Sequence, residues 1–184
     1  MYALYVHTSL ATNTQPTRRL WLALPLFFIV TYAAAYIGAA TSMDGVRTWY
    51  TTINKPSWTP PGWLFGPVWS ILYTMIAVAG FLAWRASRQR TNPKPLVSRS
   101  ILSRNVMPLF FIQLVLNALW SWLFFGLHRP GIALIDIVLL LISIFACAFA
   151  MRAWSRTAFI LMLPYAAWVT FATALNATMW WLNR

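Results

Sequence analysis

An all-α membrane protein, folded as a five-transmembrane-helix bundle, is the fold class this sequence predicts, and three observations predict it. Five runs of roughly twenty apolar residues recur along the 184 residues, and a hydrocarbon slab of ~30 Å needs about 20 helical residues to cross. Hydrophobic residues make up 60% of the chain and charged residues 9%, where soluble domains carry about 25% charged. A soluble core of this size has no room for so much apolar surface. Only one charged residue, Asp136, falls inside any of the runs.

The first run, Leu20–Ala40, follows a polar stretch read as a loose tail, residues 1–17, and opens one membrane domain over 18–184. Arg18 and Arg19 ahead of an apolar stretch resemble an export signal, but the run is longer than the 7–15 residues usual for a signal core. Leu64–Trp84, Val106–Leu127, Gly131–Met151 and Thr157–Trp181 are the remaining spans. Short loops between the last three make them antiparallel neighbours. The loop of 86–105, basic and carrying Pro93 and Pro95, reads as a solvated connector.

Charge sorts by side. The amino-terminal tail and the second and fourth loops hold ten of the fourteen cations, against four at Arg47, Lys55, Arg129 and Arg184. That bias places the amino terminus in the cytoplasm, most naturally at a bacterial inner membrane. A net charge of +12 therefore reads as topology and contact with anionic membrane lipids, not as nucleic-acid binding. Trp21, Trp84 and Trp154 fall at the cytoplasmic ends, and Trp63, Trp180 and Trp181 at the outer ends, as an interfacial belt requires.

The first loop, from Thr41 to Gly62, is of another kind. It contains Trp49, Tyr50, Pro56, Trp58, Pro60 and Pro61. Prolines stiffen a loop and aromatics need something to bury against, so this segment is expected to fold over the outer end as a lid. Below it, at ~1.5 Å per residue, Trp69, Asp136 and Asn176 lie roughly 8 Å deep, Trp120 about 10 Å, Asn117 about 15 Å and Trp168 about 20 Å. Gln113, Asn117 and Ser121 repeat every four residues on the third span, with Trp120 and Phe124 beside them. Tyr165, Trp168, Ala172 and Asn176 share a face of the fifth, and Trp69 and Tyr73 one of the second. Polar groups facing lipid are penalised, so the stripes should converge on a pocket under the lid. Such stripes also serve as plain interhelical glue, and Trp120 and Trp122 suit packing at least as well. Asp136, in the second turn of its span, is expected to have a structural partner such as Asn176.

Enzyme chemistry has few candidates. There is no glutamate, no pair of close acids, no Cys/His cluster with metal spacing and no phosphate-cradling glycine loop. A metal site is therefore not expected. His128, at the outer mouth, is more naturally solvated than an axial haem ligand. Cys147 is the only cysteine, so no internal disulfide can form.

These residues carry a family resemblance. Trp49-Tyr50, Lys55 through Trp63, and Phe65-Gly66-Pro67-Val68-Trp69 closely resemble the TspO/translocator protein family, also called tryptophan-rich sensory proteins or peripheral benzodiazepine receptors. Leu116 through Trp120 with Phe124-Phe125-Gly126 is similar to its third span, and Pro164 through Trp168 with Phe171 through Asn176 to its fifth. The resemblance implies a five-helix bundle, commonly a homodimer, whose pocket under the first loop binds porphyrins, haem-like tetrapyrroles and synthetic hydrophobic ligands. Positions matching Tyr50, Trp69, Asn117 and Trp168 line that pocket in bacterial relatives. With Trp58, Trp120 and Asn176 they make up the expected ligand-binding set. The resemblance implies that no cofactor is required and that porphyrin or haem is the ligand.

Three functions follow from the resemblance: a membrane sensor or regulator of tetrapyrrole levels, a light-dependent porphyrin-degrading enzyme using Trp69 and Trp168, or a tetrapyrrole transporter. A single intramembrane acid weighs against the last, since proton-coupled carriers need ionisable relays. Animal members bind sterol through a tyrosine and an arginine in the last span. Leu175-Asn176-Ala177 followed by Trp180-Trp181 has neither, which argues against sterol here. A row of small residues at Ala166, Thr170 and Ala174 suits packing within or between subunits.

Overall fold

The computed structural model describes residues 20–89 and 106–184. The loose tail and most of the basic second loop read from the sequence lie outside the described residues. A 3₁₀ turn, Trp21–Ala23, leads into α1 (Leu24–Arg47), and a one-turn α2 (Trp49–Thr52) follows. Then come α3 (Gly62–Gln89), α4 (Val106–Ser121) with a π-helical turn at Trp122–Gly126, α5 (Pro130–Arg152) and α6 (Arg156–Leu182). No strand occurs among the described residues. Five helices are long and apolar enough to cross a membrane, and the protein is an integral, multi-pass membrane protein.

The spans form a closed ring in the order α1, α3, α6, α5, α4. Its centre is filled by apolar side chains: Ile76, Ala79, Phe110, Ile137, Leu140, Ile144, Met162 and Val169 are almost wholly buried. Outward faces carry Ile29, Tyr36, Ile135, Leu139, Ile142 and Phe149, all exposed on the protein and suited to lipid. Pro164 sits inside α6 and Pro67 in the second turn of α3. Pro67 falls where few helix hydrogen bonds are lost, and Pro164 costs α6 one backbone donor in mid-span.

Two boundaries differ from the sequence expectation, each for a physical reason. α1 runs on to Arg47, seven residues past Ala40, so the loop begins at Thr48 and not at Thr41. The polar residues that suggested a loop satisfy themselves within the helix. Thr41 Oγ1 donates to the Ile37 carbonyl at 2.9 Å and Ser42 Oγ to the Gly38 carbonyl at 2.6 Å. The second difference is the π turn at the end of the third span. There the Leu127 amide bonds to the Trp122 carbonyl at 2.8 Å and the Arg129 amide to the Leu123 carbonyl at 3.0 Å. The wider turn turns Phe124 into the core, where it is 2% exposed, and leaves Phe125 on the cavity side.

Gly45 and Gly126 explain how α1 approaches this turn. A Cβ on Gly45 would lie 1.7 Å from the Phe125 carbonyl oxygen, and one on Gly126 2.6 Å from that of Thr41. Gly38 and Ser42 continue the same narrow face of α1, both buried. This is the small-residue contact by which membrane helices pack closely.

Candidate ligand-binding site

The segment from Thr48 to Pro61 lies over one end of the ring and is fastened at three places. Trp49 stacks on His128 with ring centroids 4.8 Å apart and meets Phe124 edge-on. His128, at a positive φ of 55°, is thus half of a ring stack. Asn54 and Asn183 form a reciprocal pair: the Asn54 amide donates to Asn183 Oδ1, and Asn183 Nδ2 donates to the Asn54 carbonyl, each at 2.9 Å. Trp58 packs edge-on against Phe171 of α6 at 5.6 Å. The side chains that looked out of place in a solvated loop are therefore its fastenings.

Beneath this lid is a cavity of about 720 Å³, within the range of ~300–1,000 Å³ typical of small-molecule sites. Its walls come from α1 (Ala35, Gly38, Ser42, Met43), from α3 (Phe65, Gly66, Trp69, Tyr73) and from the end of the third span (Trp120, Ser121, Phe125). The lid contributes Tyr50, Thr51, Lys55, Thr59 and Pro60. A second, much smaller void of about 30 Å³ adjoins it, sharing Tyr50, Phe65, Trp69, Trp120 and Phe125 and adding Trp168, Phe171 and Asn176.

Of the residues singled out from the sequence, Tyr50, Trp69 and Trp120 border both spaces. Trp168 and Asn176 border only the small one. Trp168 stands behind Phe65, its ring 5.9 Å away and nearly perpendicular. Asn117 borders neither space: it accepts from the Tyr73 hydroxyl and donates to Tyr165 Oη at 3.1 Å, tying α4 to α3 and α6. It reaches the cavity through Tyr73, which does line the wall. Trp58 borders neither space and is 46% exposed.

The partner expected for Asp136 is otherwise engaged. Asn176 Oδ1 accepts from the Trp120 indole at 3.0 Å and its Nδ2 donates to the Pro130 carbonyl at 2.8 Å. The amide is thus consumed in joining α6 to α4 and to the first turn of α5. Asp136 Oδ2 is buried without a hydrogen-bond partner.

With its N–H committed to Asn176, Trp120 offers a ligand only its indole faces and edge. Trp69 stacks on Tyr73 at 5.4 Å, which leaves its other face and its edge to a ligand. Lys55 Nζ lies 4.7 Å over the Tyr50 ring and borders the cavity, as does Arg47 at the end of α1. Burial pushes the Tyr50 phenol above its ordinary range, so it stays neutral and can donate a hydrogen bond. The chain has only two acids, Asp44 and Asp136, and neither borders the cavity. The site therefore suits an apolar, aromatic body with an anionic edge.

Phe65, Phe125, Gly38, Ser42 and Met43 were not anticipated as walls. Phe65 lies four residues before Trp69, one helical turn away, which was a usable signal. The π turn that exposes Phe125 has no counterpart in the hydrophobic pattern.

Fold and site together define a class: a five-span membrane protein with a lidded, indole-walled cavity at one end. The TspO/MBR family model matches residues 21–182, and the chain belongs to that family. Among its relatives, the tryptophan-rich protein TspO of Archaeoglobus fulgidus is 36% identical over 162 residues, covering 88% of this chain and 97% of the relative. The translocator protein of Homo sapiens is 32% identical over 163 residues, 87% of this chain and 89% of the relative. The tryptophan-rich sensory protein of Cereibacter sphaeroides is 30% identical, with 89% and 92% covered.

Proposed function

We propose that this protein is a membrane sensor or regulator that binds porphyrin, haem-like tetrapyrroles and related hydrophobic ligands in the cavity under its first loop. One observation carries the reading. A cavity of about 720 Å³ is walled by Tyr50, Trp69, Trp120 and Phe125 and bordered by Arg47 and Lys55. A porphyrin is a broad, flat aromatic with acidic propionates at one edge, and this wall and rim complement both parts. Binding needs only a preformed apolar cavity with a few polar contacts. The lid side faces outward in this reading, the amino terminus lying in the cytoplasm as the cation bias requires.

A dark titration of purified protein with protoporphyrin tests the proposal, read by quenching of tryptophan fluorescence and by the porphyrin absorption band. Saturable binding that weakens in Tyr50→Ala and Trp69→Ala is the expected result; a non-saturating response unchanged by either substitution contradicts it. Arg47→Gln with Lys55→Gln should weaken the diacid roughly fivefold and leave its dimethyl ester unaffected, as two partly screened surface cations allow.

One observation favours a second, enzymatic reading: Trp69 borders the cavity and stacks on Tyr73, a chain of oxidisable rings leading away from a photoexcited ligand. Illumination of the complex decides it. Bleaching that disappears in Trp69→Phe and Trp168→Phe supports degradation, and porphyrin that remains intact under light supports binding alone.

A further inference from the structure

The cavity is closed above and open at the side. Above, the lid is fastened by the Trp49–His128 stack, the Asn54–Asn183 pair and the Trp58–Phe171 contact. At the side, large side chains of α1 and α3 meet in their lower halves. There Phe27 meets Phe81 and Trp84, and the Tyr32 hydroxyl reaches the Ser70 carbonyl at 3.1 Å and Thr74 Oγ1 at 2.9 Å. The cavity lies between Ala35, Gly38, Ala39 and Ser42 on α1 and Gly62 and Gly66 on α3. A Cβ built on Gly62 or Gly66 would meet nothing within 4 Å. The result is a lateral slot whose α3 edge carries two exposed glycines, facing the bilayer.

An apolar space of this size open to hydrocarbon does not stay empty, and its walls give water few partners. At its lid end stand Arg47 and Lys55, at headgroup level, with no acid bordering the cavity. From this geometry we infer that the slot between α1 and α3 is a lipid site. It takes one acyl chain of an anionic phospholipid from the leaflet on the lid side, with the phosphate between Arg47 and Lys55. The tetrapyrrole of the proposed function enters by the same slot, displacing that chain. The inference rests on the cavity being the ligand site and adds to it an occupant and a route. It selects for ligands already dissolved in the membrane.

Photo-crosslinking in nanodiscs tests it. Full-length protein is reconstituted with phosphatidylglycerol or phosphatidylcholine carrying a diazirine in one chain, and labelled positions are mapped by mass spectrometry. Phosphatidylglycerol should label Ala39, Met43, Phe65 and Trp69 roughly fivefold or more above phosphatidylcholine, since each cation at headgroup level favours an anionic lipid. Ile135 and Leu139, exposed on α5, should show no such preference. Arg47→Gln with Lys55→Gln should reduce slot labelling to the phosphatidylcholine level. Gly62→Leu with Gly66→Leu, which the open space accommodates, should remove it for both lipids. Added protoporphyrin should suppress slot labelling alone. Labelling spread evenly over α1, α3 and α5, or unchanged by either pair of substitutions, overturns the inference. If protoporphyrin binds saturably while the slot stays unlabelled, the lipid site alone falls. If protoporphyrin does not bind in lipid-free detergent either, the proposed function falls with it.

Discussion

Asn117 and Asn176 each satisfy two groups on two other helices from one small amide, and both amides are buried. Their removal orphans buried partners as well as losing bonds. Asn176→Ala leaves the Trp120 indole N–H without its acceptor, and thermal unfolding in detergent should show a loss of about 1–2 kcal/mol, the upper part of the range for membrane hydrogen bonds. Asn117→Ala should cost a similar amount by the same assay. It should also weaken porphyrin, because Tyr73 loses the bond that holds its ring against Trp69. Gly45→Ala tests packing in place of hydrogen bonding. Its methyl group would collide with a backbone carbonyl, which cannot swing aside as a side chain could. A destabilisation of about 1–3 kcal/mol is expected, against none for Gly66→Ala, whose methyl group enters open space.

At the scale of elements, the lid and the π turn decide the shape of the site. The lid's clasp to the far end of α6 is made by Asn183, next to the carboxy terminus. Asn183→Ala removes the two hydrogen bonds to Asn54, of about 1 kcal/mol each, along with the bond to the Met179 carbonyl of its own helix. Amide hydrogen exchange over Tyr50–Thr59 should therefore quicken by roughly tenfold or more, while the spans keep their protection. Unchanged exchange in the lid would mean that Trp49 and Trp58 hold it without the clasp.

The sequence made some of this legible and hid the rest for identifiable reasons. Hydrophobic runs marked all five spans, four of them to within about five residues at each end and the first seven residues short at its end, because the bilayer imposes a length that composition reveals. The aromatic and proline content of the first loop marked it as a packed lid, and Trp49, Asn54 and Trp58 bear the contacts that make it one. The end of α1 was misjudged because Thr41 and Ser42 look like loop residues yet bond back to their own helix. The pairing of Asp136 with Asn176 failed because depth along a span says nothing about which way an amide turns. The π turn was invisible, since Trp122 to Leu127 contains no polar residue whose position would record the added residue.

On the scale of the whole molecule, five helices in a ring would ordinarily fill their own centre, and through the lower half they do. Near the lid the small face of α1 and the glycines of α3 withhold the side chains that would complete the packing. The bundle holds a cavity because large residues are missing from two facing edges, and the indoles and rim cations then give that cavity its chemistry. Ala39 lies on one of those edges, bordering the cavity from an exposed position. The most direct measurement is the protoporphyrin dissociation constant of Ala39→Phe beside that of Ile135→Phe, a matched substitution on the lipid face of α5. Filling the slot should weaken binding roughly tenfold or more, given a steric cost of about 1–3 kcal/mol, while the change on α5 leaves it as in the unaltered protein. Equal affinities in the two variants would mean that porphyrin does not use this cavity.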